Sequence, residues 1–305
     1  MRNLALMWVL AACLLGCGGD KGDKNKAAQA ADTTDTAAVA VADTVAPAPD
    51  TAAAVQSWKS GETTVTLSGE TLTVSGKGAM EDYCYECDRP WYSSNESATK
   101  LVIEAGVTSI GNTTFGGFSG LTSVTIPNSV TVIGKDALGS CTSLTSVTIP
   151  NSVRAIGWGA FARCRSLTTI SIPSSVTDIN ERAFFQSRSL TSINVAPDNA
   201  NYSSIDGVLF NKNETALLIC PEGKKGMYTI PNSVTKLGKY AFKECRGLTS
   251  ITCLNSIPPG IVFDYETFLF VPACLYVPES SLTAYRAAVG WKDFECVKAI
   301  ESAPE

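Results

Sequence analysis

The sequence contains no histidine among its 305 residues, and this absence removes several classes of catalytic chemistry. Ser-His and Cys-His nucleophilic pairs, HExxH zinc sites and histidine general bases all require that side chain. The chain also lacks a Walker loop and a glycine-rich dinucleotide motif in a βαβ context. A pair of carboxylates could still hydrolyse a glycoside, but no such pair stands out. We therefore predict no catalytic residue, no metal and no cofactor, and keep an unrecognised carboxylate site as a distant alternative.

Charged residues and long apolar runs are also scarce. Only 17% of the residues are charged, the net charge is −5, and no basic run follows residue 58, so we expect no nucleic-acid partner. The first apolar run, from Leu4 to Leu15, is too short to span a membrane. A short run of this kind that follows a basic residue and ends in small residues is typical of an export signal.

The residues that follow this run predict a lipid anchor. Leu14-Leu15-Gly16-Cys17 resembles the bacterial lipobox, in which cleavage leaves a lipid-modified cysteine at the new N-terminus. Residues 1–16 would then be the signal peptide and Cys17 the membrane attachment, in the outer membrane or at the cell surface. An ordinary signal peptide with a chance cysteine is the alternative. Residues 17–57 are rich in Ala, Thr, Asp and Pro, and this composition predicts a disordered tether.

A 23-residue repeat organises the body of the chain. Three consecutive units read LTSVTIPNSVTVIGKDALGSCTS, LTSVTIPNSVRAIGWGAFARCRS and LTTISIPSSVTDINERAFFQSRS. Units begin at residues 98, 121, 144, 167 and 190, and the unit at 190 is 35 residues long because it contains an insertion of 12. A fixed period of this length is typical of a solenoid whose units stack on one another.

Each unit predicts two structural pieces. The LxxLxL opening alternates apolar with polar residues, which predicts a short strand with one buried face, and stacked units would form a parallel sheet. A second apolar pair, a glycine and an Ala-Phe pair follow, which we interpret as a short helical turn whose aromatic ring fills the interior. The unit ends at a position occupied by Cys141, Cys164 or Cys245. Because Phe118 stands there in another unit, we interpret it as a buried thiol column rather than a metal site.

The outward strand positions carry small polar residues in the units that begin at 121, 144, 167, 190 and 248. One row of this face consists of Thr125, Thr148, Ser171 and Asn194. A solvated β face with good strand propensity explains these residues individually. The row as a whole could also serve as a hydrogen-bonding platform for an extended ligand, and both interpretations stay open.

The insertion in the long unit, residues 190–224, is a second candidate for ligand contact. The segment GVLFNKNETALLICP has two apolar runs around a polar centre, which predicts a β-hairpin that projects from the coil. We expect Phe210 and Leu217 to pack back on the coil. Irregular insertions in solenoids often carry recognition, and the exposed tip would consist of Asn211, Lys212, Asn213 and Glu214.

The ends of a solenoid need covers, because an open end exposes its core. Residues 58–97 alternate as strands and predict an N-terminal β cap, ahead of repeats at 98–271. Residues 272–305 predict a last strand and a C-terminal cap with an amphipathic helix near 280–289. Cys84 and Cys87 form a CxxC, which suits a redox pair, half a metal site or a local disulfide; we favour the disulfide in a cap loop.

The repeat unit closely resembles the BspA-like leucine-rich repeat family. The LxxLxL-IPNSV-xxIG-xxAFxxC pattern, the SIDGVLFNKNETALLICP insertion and the YVPESSLTAYRAAVGW ending carry this resemblance over about residues 58–300. The departures are few: Ala98, Leu138 and Asn180. The resemblance implies an α/β leucine-rich repeat solenoid with a parallel sheet on one face and short helical turns on the other. It also implies a bacterial surface protein, since some members are associated with adhesion to host matrix proteins or to other cells.

These observations predict a non-enzymatic adhesion lipoprotein of the cell surface. Its partner would be a protein or glycan of the host matrix or of neighbouring cells, and the lipid anchor would hold it on the membrane. The alternative from a different class is a structural envelope protein whose repeats act as a spacer or scaffold.

Overall fold

The computed structural model describes residues 55–84, 89–261 and 264–300. The predicted signal peptide, the predicted lipidation site Cys17, nearly all of the predicted tether and Cys87 lie outside the described residues. The following elements are numbered in chain order. The strands are β1 Gln56–Ser60, β2 Thr63–Ser68, β3 Thr71–Gly76, β4 Gly78–Ala79, β5 Lys100–Ile103, β6 Val107–Ile110, β7 Ser123–Thr125, β8 Val132–Ile133, β9 Ala155–Ile156, β10 Thr169–Ile172, β11 Asp178–Ile179, β12 Ser192–Val195, β13 Tyr202–Ile205, β14 Val208–Asn211, β15 Ala216–Ile219, β16 Gly226–Ile230, β17 Lys236–Leu237, β18 Leu248–Cys253, β19 Gly260–Ile261, β20 Cys274–Val277 and β21 Val297–Ala299. The helices are α1 Asp264–Thr267 and α2 Leu282–Ala287, and short 3₁₀ turns span Tyr92–Ser94, Glu279–Ser281 and Trp291–Asp293.

The predicted repeat solenoid is confirmed. Opening strands pair in parallel with strands 23 residues away, as in Leu101 with Val124 and Ile170 with Ile193. This first sheet has three parts, β1-β2-β3-β5-β7, β10-β12 and β16-β18-β20-β21. Residues 146–148 form no strand, which separates the first part from the second. The long unit separates the second part from the third.

The far side of each coil is built from strands and turns, which corrects the prediction of helical turns. Strands of two to four residues form a second parallel sheet, β4-β6-β8-β9-β11, and β13-β14-β15-β17-β19 continues this side in the C-terminal half. Hydrogen-bonded turns follow these strands. Left-handed backbone recurs in them at Thr113, Asp136 and Gly159, with φ of 59°, 50° and 63°. A right-handed helix cannot continue through such residues, so each turn ends after one hydrogen bond.

The interior consists of stacked columns of the residues that the repeat marks as apolar. Leu121, Leu144 and Leu167 are fully buried, and the rings of Phe161 and Phe184 stack with centroids 6.1 Å apart. The recurring glycine lies where neighbouring coils touch. A Cβ on Gly134, for example, would come within 2.8 Å of the carbonyl oxygen of Ile110, so a side chain there would force the coils apart.

The thiol column is buried as predicted. Cys141 and Cys164 donate to the carbonyl oxygens of Phe115 and Leu138, each 26 residues earlier, at 3.4 and 3.3 Å. In the next unit the Ser187 hydroxyl makes the same kind of bond to a carbonyl 26 residues earlier, at 2.7 Å. Burial raises the pKa of Cys164 to about 12. These thiols are therefore protonated donors that join adjacent coils, which is unsuited to metal binding.

The long unit does not project from the coil, contrary to the prediction. Its chain forms the antiparallel meander β13-β14-β15, and β15 then pairs in parallel with β17 as a regular part of the wall. Leu209, Phe210 and Leu217 are at most 1% exposed. Leu209 belongs to the core of the first coils, whereas Phe210 belongs to the core of the C-terminal coils, so β14 joins the two.

The C-terminal cap contains a disulfide that the sequence did not reveal. Cys274 at the start of β20 is bonded to Cys296, which precedes β21. Helix α2 lies within the predicted 280–289, and its Tyr285 is fully buried against Trp291, whose ring lies 5.2 Å away. The N-terminal cap is a β meander over a buried Trp91, and Tyr83 packs edge-on against that ring at 5.2 Å.

Candidate functional site

The outward row of small polar residues lies on the first sheet, and we call it the strand face. Its four predicted members, Thr125, Thr148, Ser171 and Asn194, are all exposed. Ser171 and Asn194 are direct partners in the ladder between β10 and β12. Thr125 lies beside Val102, whereas Thr148 belongs to the segment without a ladder. The row is uncharged, and each coil repeats it at a strand spacing of about 4.8 Å.

The predicted tip of the long unit is a tight turn between β14 and β15. Lys212 and Asn213 are exposed, as predicted, but Asn211 and Glu214 are half-buried. Asn211 holds the turn, because its Oδ1 accepts from the Ala216 amide at 2.8 Å and its Nδ2 donates to Thr215 at 2.9 Å. We therefore assign Asn211 to the structure of the turn. Lys212 and Asn213 remain available for contact.

The tip lies close to one end of the strand face. The Lys212 ammonium donates to the carbonyl oxygen of Pro197 at 3.1 Å, and Pro197 follows Asn194 by three residues. The Lys212 amide also donates to the carbonyl oxygen of Asn201 at 2.8 Å. The two predicted contact regions therefore adjoin at the long unit, with Thr125 three coils away from Asn194.

A cluster that sequence reasoning missed lies on the turn side, where the regular period breaks. Glu266 contacts Lys243, Arg182 and Lys239 at 3.2, 3.6 and 3.8 Å. The Arg182 guanidinium also donates to the Tyr240 hydroxyl and lies 4.1 Å from the centre of its ring. Burial opposes ionisation of Glu266, but bonds from Lys243 and Tyr240 and the nearby cations outweigh it and lower its pKa. We call these five residues the polar seam.

Beside the polar seam lies a crevice that contains an unusual carboxyl group. One oxygen of Glu222 accepts from the Gln186 amide at 2.6 Å, and the other is buried without a partner among the described residues. Burial raises the pKa of Glu222 to about 7. Such a group can act as a general acid or base in an enzyme. The crevice has room for about one water, about 20 Å³.

The other predicted sites are accounted for as follows. Cys84 is exposed, and its proposed disulfide partner Cys87 lies outside the described residues, so this bridge stays a prediction. In the part of the chain that the structure describes, no group of three or more His, Cys, Asp or Glu side chains could hold a metal ion. No helix within the same residues is long and apolar enough to cross a membrane. Simple periodicity could not have found the polar seam, because its members are up to 84 residues apart.

Comparison with known proteins supports the repeat register. A family model described as the BspA type leucine rich repeat region matches six copies over residues 89–216 and 226–259. A leucine-rich repeat protein from Eubacterium ventriosum is 29% identical, covers 74% of this chain and 67% of its own, and superposes with a TM-score of 0.63. A leucine-rich repeat protein from Bacteroides ovatus is 22% identical, with 80% and 76% coverage and a TM-score of 0.40.

A more distant similarity links the chain to the pneumococcal vaccine antigen PcpA. That structure is 17% identical, with 65% coverage of this chain, 64% of its own and a TM-score of 0.41. No curated protein matches the sequence.

Proposed function

The chain belongs to the BspA-type leucine rich repeat family, and we propose that it is a non-enzymatic binding protein of the bacterial cell surface. Its ligand would be a protein or glycan of the host matrix or of neighbouring cells. The observation that carries this proposal is the strand face, an exposed and uncharged row that each coil extends. The water-sized crevice at Glu222 and the lack of histidine support binding over catalysis.

The chemistry of the strand face favours a long ligand. A hydrogen bond to a neutral hydroxyl contributes only about 0.5–1.5 kcal/mol net, so a single coil binds nothing tightly. Contacts over four coils would add, because Thr125, Thr148, Ser171 and Asn194 present similar groups at a regular spacing. We therefore expect an extended protein segment or a repeating glycan, with Lys212 and Asn213 contacting the same ligand at one end.

Substitution within the strand face tests this proposal. Thr148→Lys combined with Ser171→Lys should reduce binding to a panel of purified host matrix proteins and glycans at least tenfold, because two bulky charges would occupy the row. Thr177→Lys adds one such charge at an exposed position outside the row and is the control, to be compared with each single lysine variant of the row. Equal binding by the double variant and the parent chain would remove the strand face from the proposal.

Membrane attachment through Cys17 is part of the same proposal. Cys17→Ala should release the protein from membrane fractions, because acyl chains supply most of the affinity for the bilayer. Cys13→Ala, within the preceding apolar run, is the control and should leave the protein in the membrane fraction. Continued membrane retention of the Cys17 variant would contradict the lipid anchor.

Exposure at the cell surface separates binding from the structural alternative. Protease treatment of intact cells should degrade the protein, with an internal protein protected as the control. Full protection would favour an envelope spacer that contacts neighbouring envelope components.

A further inference from the structure

A large groove opens at the C-terminal cap, away from the strand face. It has a volume of about 740 Å³ and lies between the segment that precedes β20 and the segment that precedes β21. Phe268 and Phe294, with ring centroids 4.6 Å apart, line it together with Phe270 and the apolar residues that follow. This volume suits a side chain with its flanking backbone rather than a single water.

Phe270 presents an apolar ring to this groove from an unfavourable backbone conformation. Its φ is 63°, which bulky side chains rarely adopt, and 49% of the residue is exposed. The same left-handed conformation recurs at the equivalent turn position of other coils, at Ser140, Arg163 and Glu244, so it belongs to the turn of the repeat. The Arg246 guanidinium covers one side of the ring, 4.7 Å from its centre. The rest of the ring is left for contact with another apolar group.

The two segments that line the groove are held together by a covalent cross-link and by ring packing. The disulfide between Cys274 and Cys296 joins the two walls of the groove covalently. Phe268 packs against the fully buried Trp291 at 5.0 Å, so the aromatic floor continues into the core of the cap. A preformed site loses little conformational entropy on binding, which favours recognition by few contacts.

The charges around the groove point to the chemistry of its occupant. Arg246 donates to Glu244 at 2.8 Å, and Glu244 also pairs with a second arginine at 3.5 Å, so Glu244 offsets only part of the positive charge of Arg246. Asp293 and Glu295 also line the groove, are exposed, and form no ion pair with the residues that the structure describes. Lys292 lies outside the lining. The rim is therefore negative and complements a cationic partner.

We propose that this groove docks an extended basic segment of a partner protein. An apolar side chain of that segment packs against Phe270, and a nearby Lys or Arg pairs with Asp293 and Glu295. The proposal rests on the proposed binding function and deepens it by adding a second contact site at the end of the solenoid. A ligand long enough to follow the strand face could reach this site, but the groove recognises its segment independently.

The test uses the purified full chain and a phage-displayed library of random 12-residue peptides. We expect the selected peptides to combine a large apolar residue with Lys or Arg within three positions. Synthetic copies of these peptides then give dissociation constants by fluorescence anisotropy. Phe270→Ala should weaken binding at least tenfold, and Asp293→Lys with Glu295→Lys should weaken it at least as much. Raising the salt concentration should also weaken binding, because the charge pairs are exposed.

Met227→Ala is the matched control, since Met227 is 82% exposed but lies on β16 outside the groove. Binding by this variant should stay within twofold of the parent chain. An equal loss for the Met227 and Phe270 variants would show general apolar adhesion and overturn the proposal. Selection of acidic peptides, or competition by glycans alone, would also overturn it. If Phe270→Ala disturbed folding, peptide binding by the charge-reversal variant would test the proposal instead, because both of its substituted positions are exposed and should not affect folding.

The outcomes separate this proposal from the proposed function. Failure of the peptide test leaves the strand-face substitutions and the cell-surface protease experiment unaffected. Conversely, a protein protected from protease on intact cells could still bind the peptides in solution, and only the surface assignment would fail.

Discussion

The first coils and the coils around the long unit are stabilised by different means. From residue 98 to residue 180, the same contacts recur at a spacing of 23, and the column of backbone bonds Thr131 to Thr108, Arg154 to Thr131 and Thr177 to Arg154 has lengths of 2.8, 2.8 and 2.9 Å. The five ion pairs that join described residues all lie between Arg182 and Glu266. The disulfide lies in the C-terminal half as well.

This difference shows how an insertion changes the contacts between the coils of a repeat protein. Where the period holds, each backbone amide finds its acceptor one unit earlier, and neutral side chains suffice. The long unit shifts this register. Backbone bonds still cross it, such as that from the Gly223 amide to the Leu190 carbonyl oxygen at 2.9 Å, and side chains that span long separations add to them. Arg182 reaches Tyr240, 58 residues away, and Glu266 collects three cations beside them. The polar seam therefore adds side-chain contacts on the turn side to the backbone bonds that also join these coils.

The largest loss of stability is expected when a buried ring is truncated in either core, and it shows whether the two cores contribute equally to the free energy of unfolding. Phe161→Ala in the first core and Phe242→Ala in the second should each lower the free energy of unfolding by about 3–5 kcal/mol, because both rings are fully buried. Chemical denaturation measures this, and Phe270→Ala, at a half-exposed ring, is the control. A change below about 1 kcal/mol at Phe161 would mean that the regular coils tolerate the cavity.

Removal of the disulfide should affect only the C-terminal half. Cys274→Ala with Cys296→Ala should cost about 3 kcal/mol, since the bond closes a loop with a sequence separation of 22. Hydrogen exchange should show faster opening of β20, β21 and α2, while the coils before residue 180 stay protected. Equal loss of protection in both halves would show that the molecule unfolds as a single cooperative unit.

The crevice beside the polar seam predicts a pH dependence of stability between about pH 4 and pH 7. The folded pKa of Glu222, about 7, lies above the value near 4.3 expected in an unfolded chain. The folded state thus holds this proton more tightly, and stability is lost as pH rises from about 4.3 to 7, by roughly 2 kcal/mol for a group that is partly exposed. Glu222→Gln should abolish this loss in urea titrations at pH 5 and pH 8. Glu181→Gln, an exposed carboxyl of the same crevice, should retain it.

The smallest effect is expected on the strand face. Thr148→Lys with Ser171→Lys should change the unfolding free energy by less than about 0.5 kcal/mol, because both side chains are exposed and pack against no core residue. Thermal unfolding of the double variant measures this directly. A large loss would mean that the strand face stabilises the sheet, and its binding results would then need a milder substitution such as Thr148→Asn.

The period of the sequence predicted the parts of the fold that depend on local pattern. Leu144, Phe161 and Cys164 are buried where the repeat places them, because equivalent residues of stacked units pack against equivalent neighbours. The turn side was mispredicted as helical, since the left-handed residues there include Asp136 and Ser140, whose types do not reveal a positive φ.

The long unit and the ends were harder to predict for a different reason. Buried Phe210 and Leu217 were foreseen, but the alternation in a hairpin cannot say whether a strand pairs with it, and β17 does so with β15. The disulfide connects two of several cysteines, and spacing alone cannot choose among the pairings. The candidate strand-face residues were found because exposure alternates along a strand, whereas the polar seam depends on tertiary contacts with no period.

The disulfide also decides how the C-terminal end responds to a mechanical load. Under tension applied to the C-terminus, force enters at β21 and passes from Cys296 through the sulfur bridge directly to Cys274. The chain between these two cysteines, including α2 and the buried Tyr285 and Trp291, lies outside the covalent load path. Tension would therefore pull away the last strand, while the aromatic cluster of the cap carries no load and stays folded.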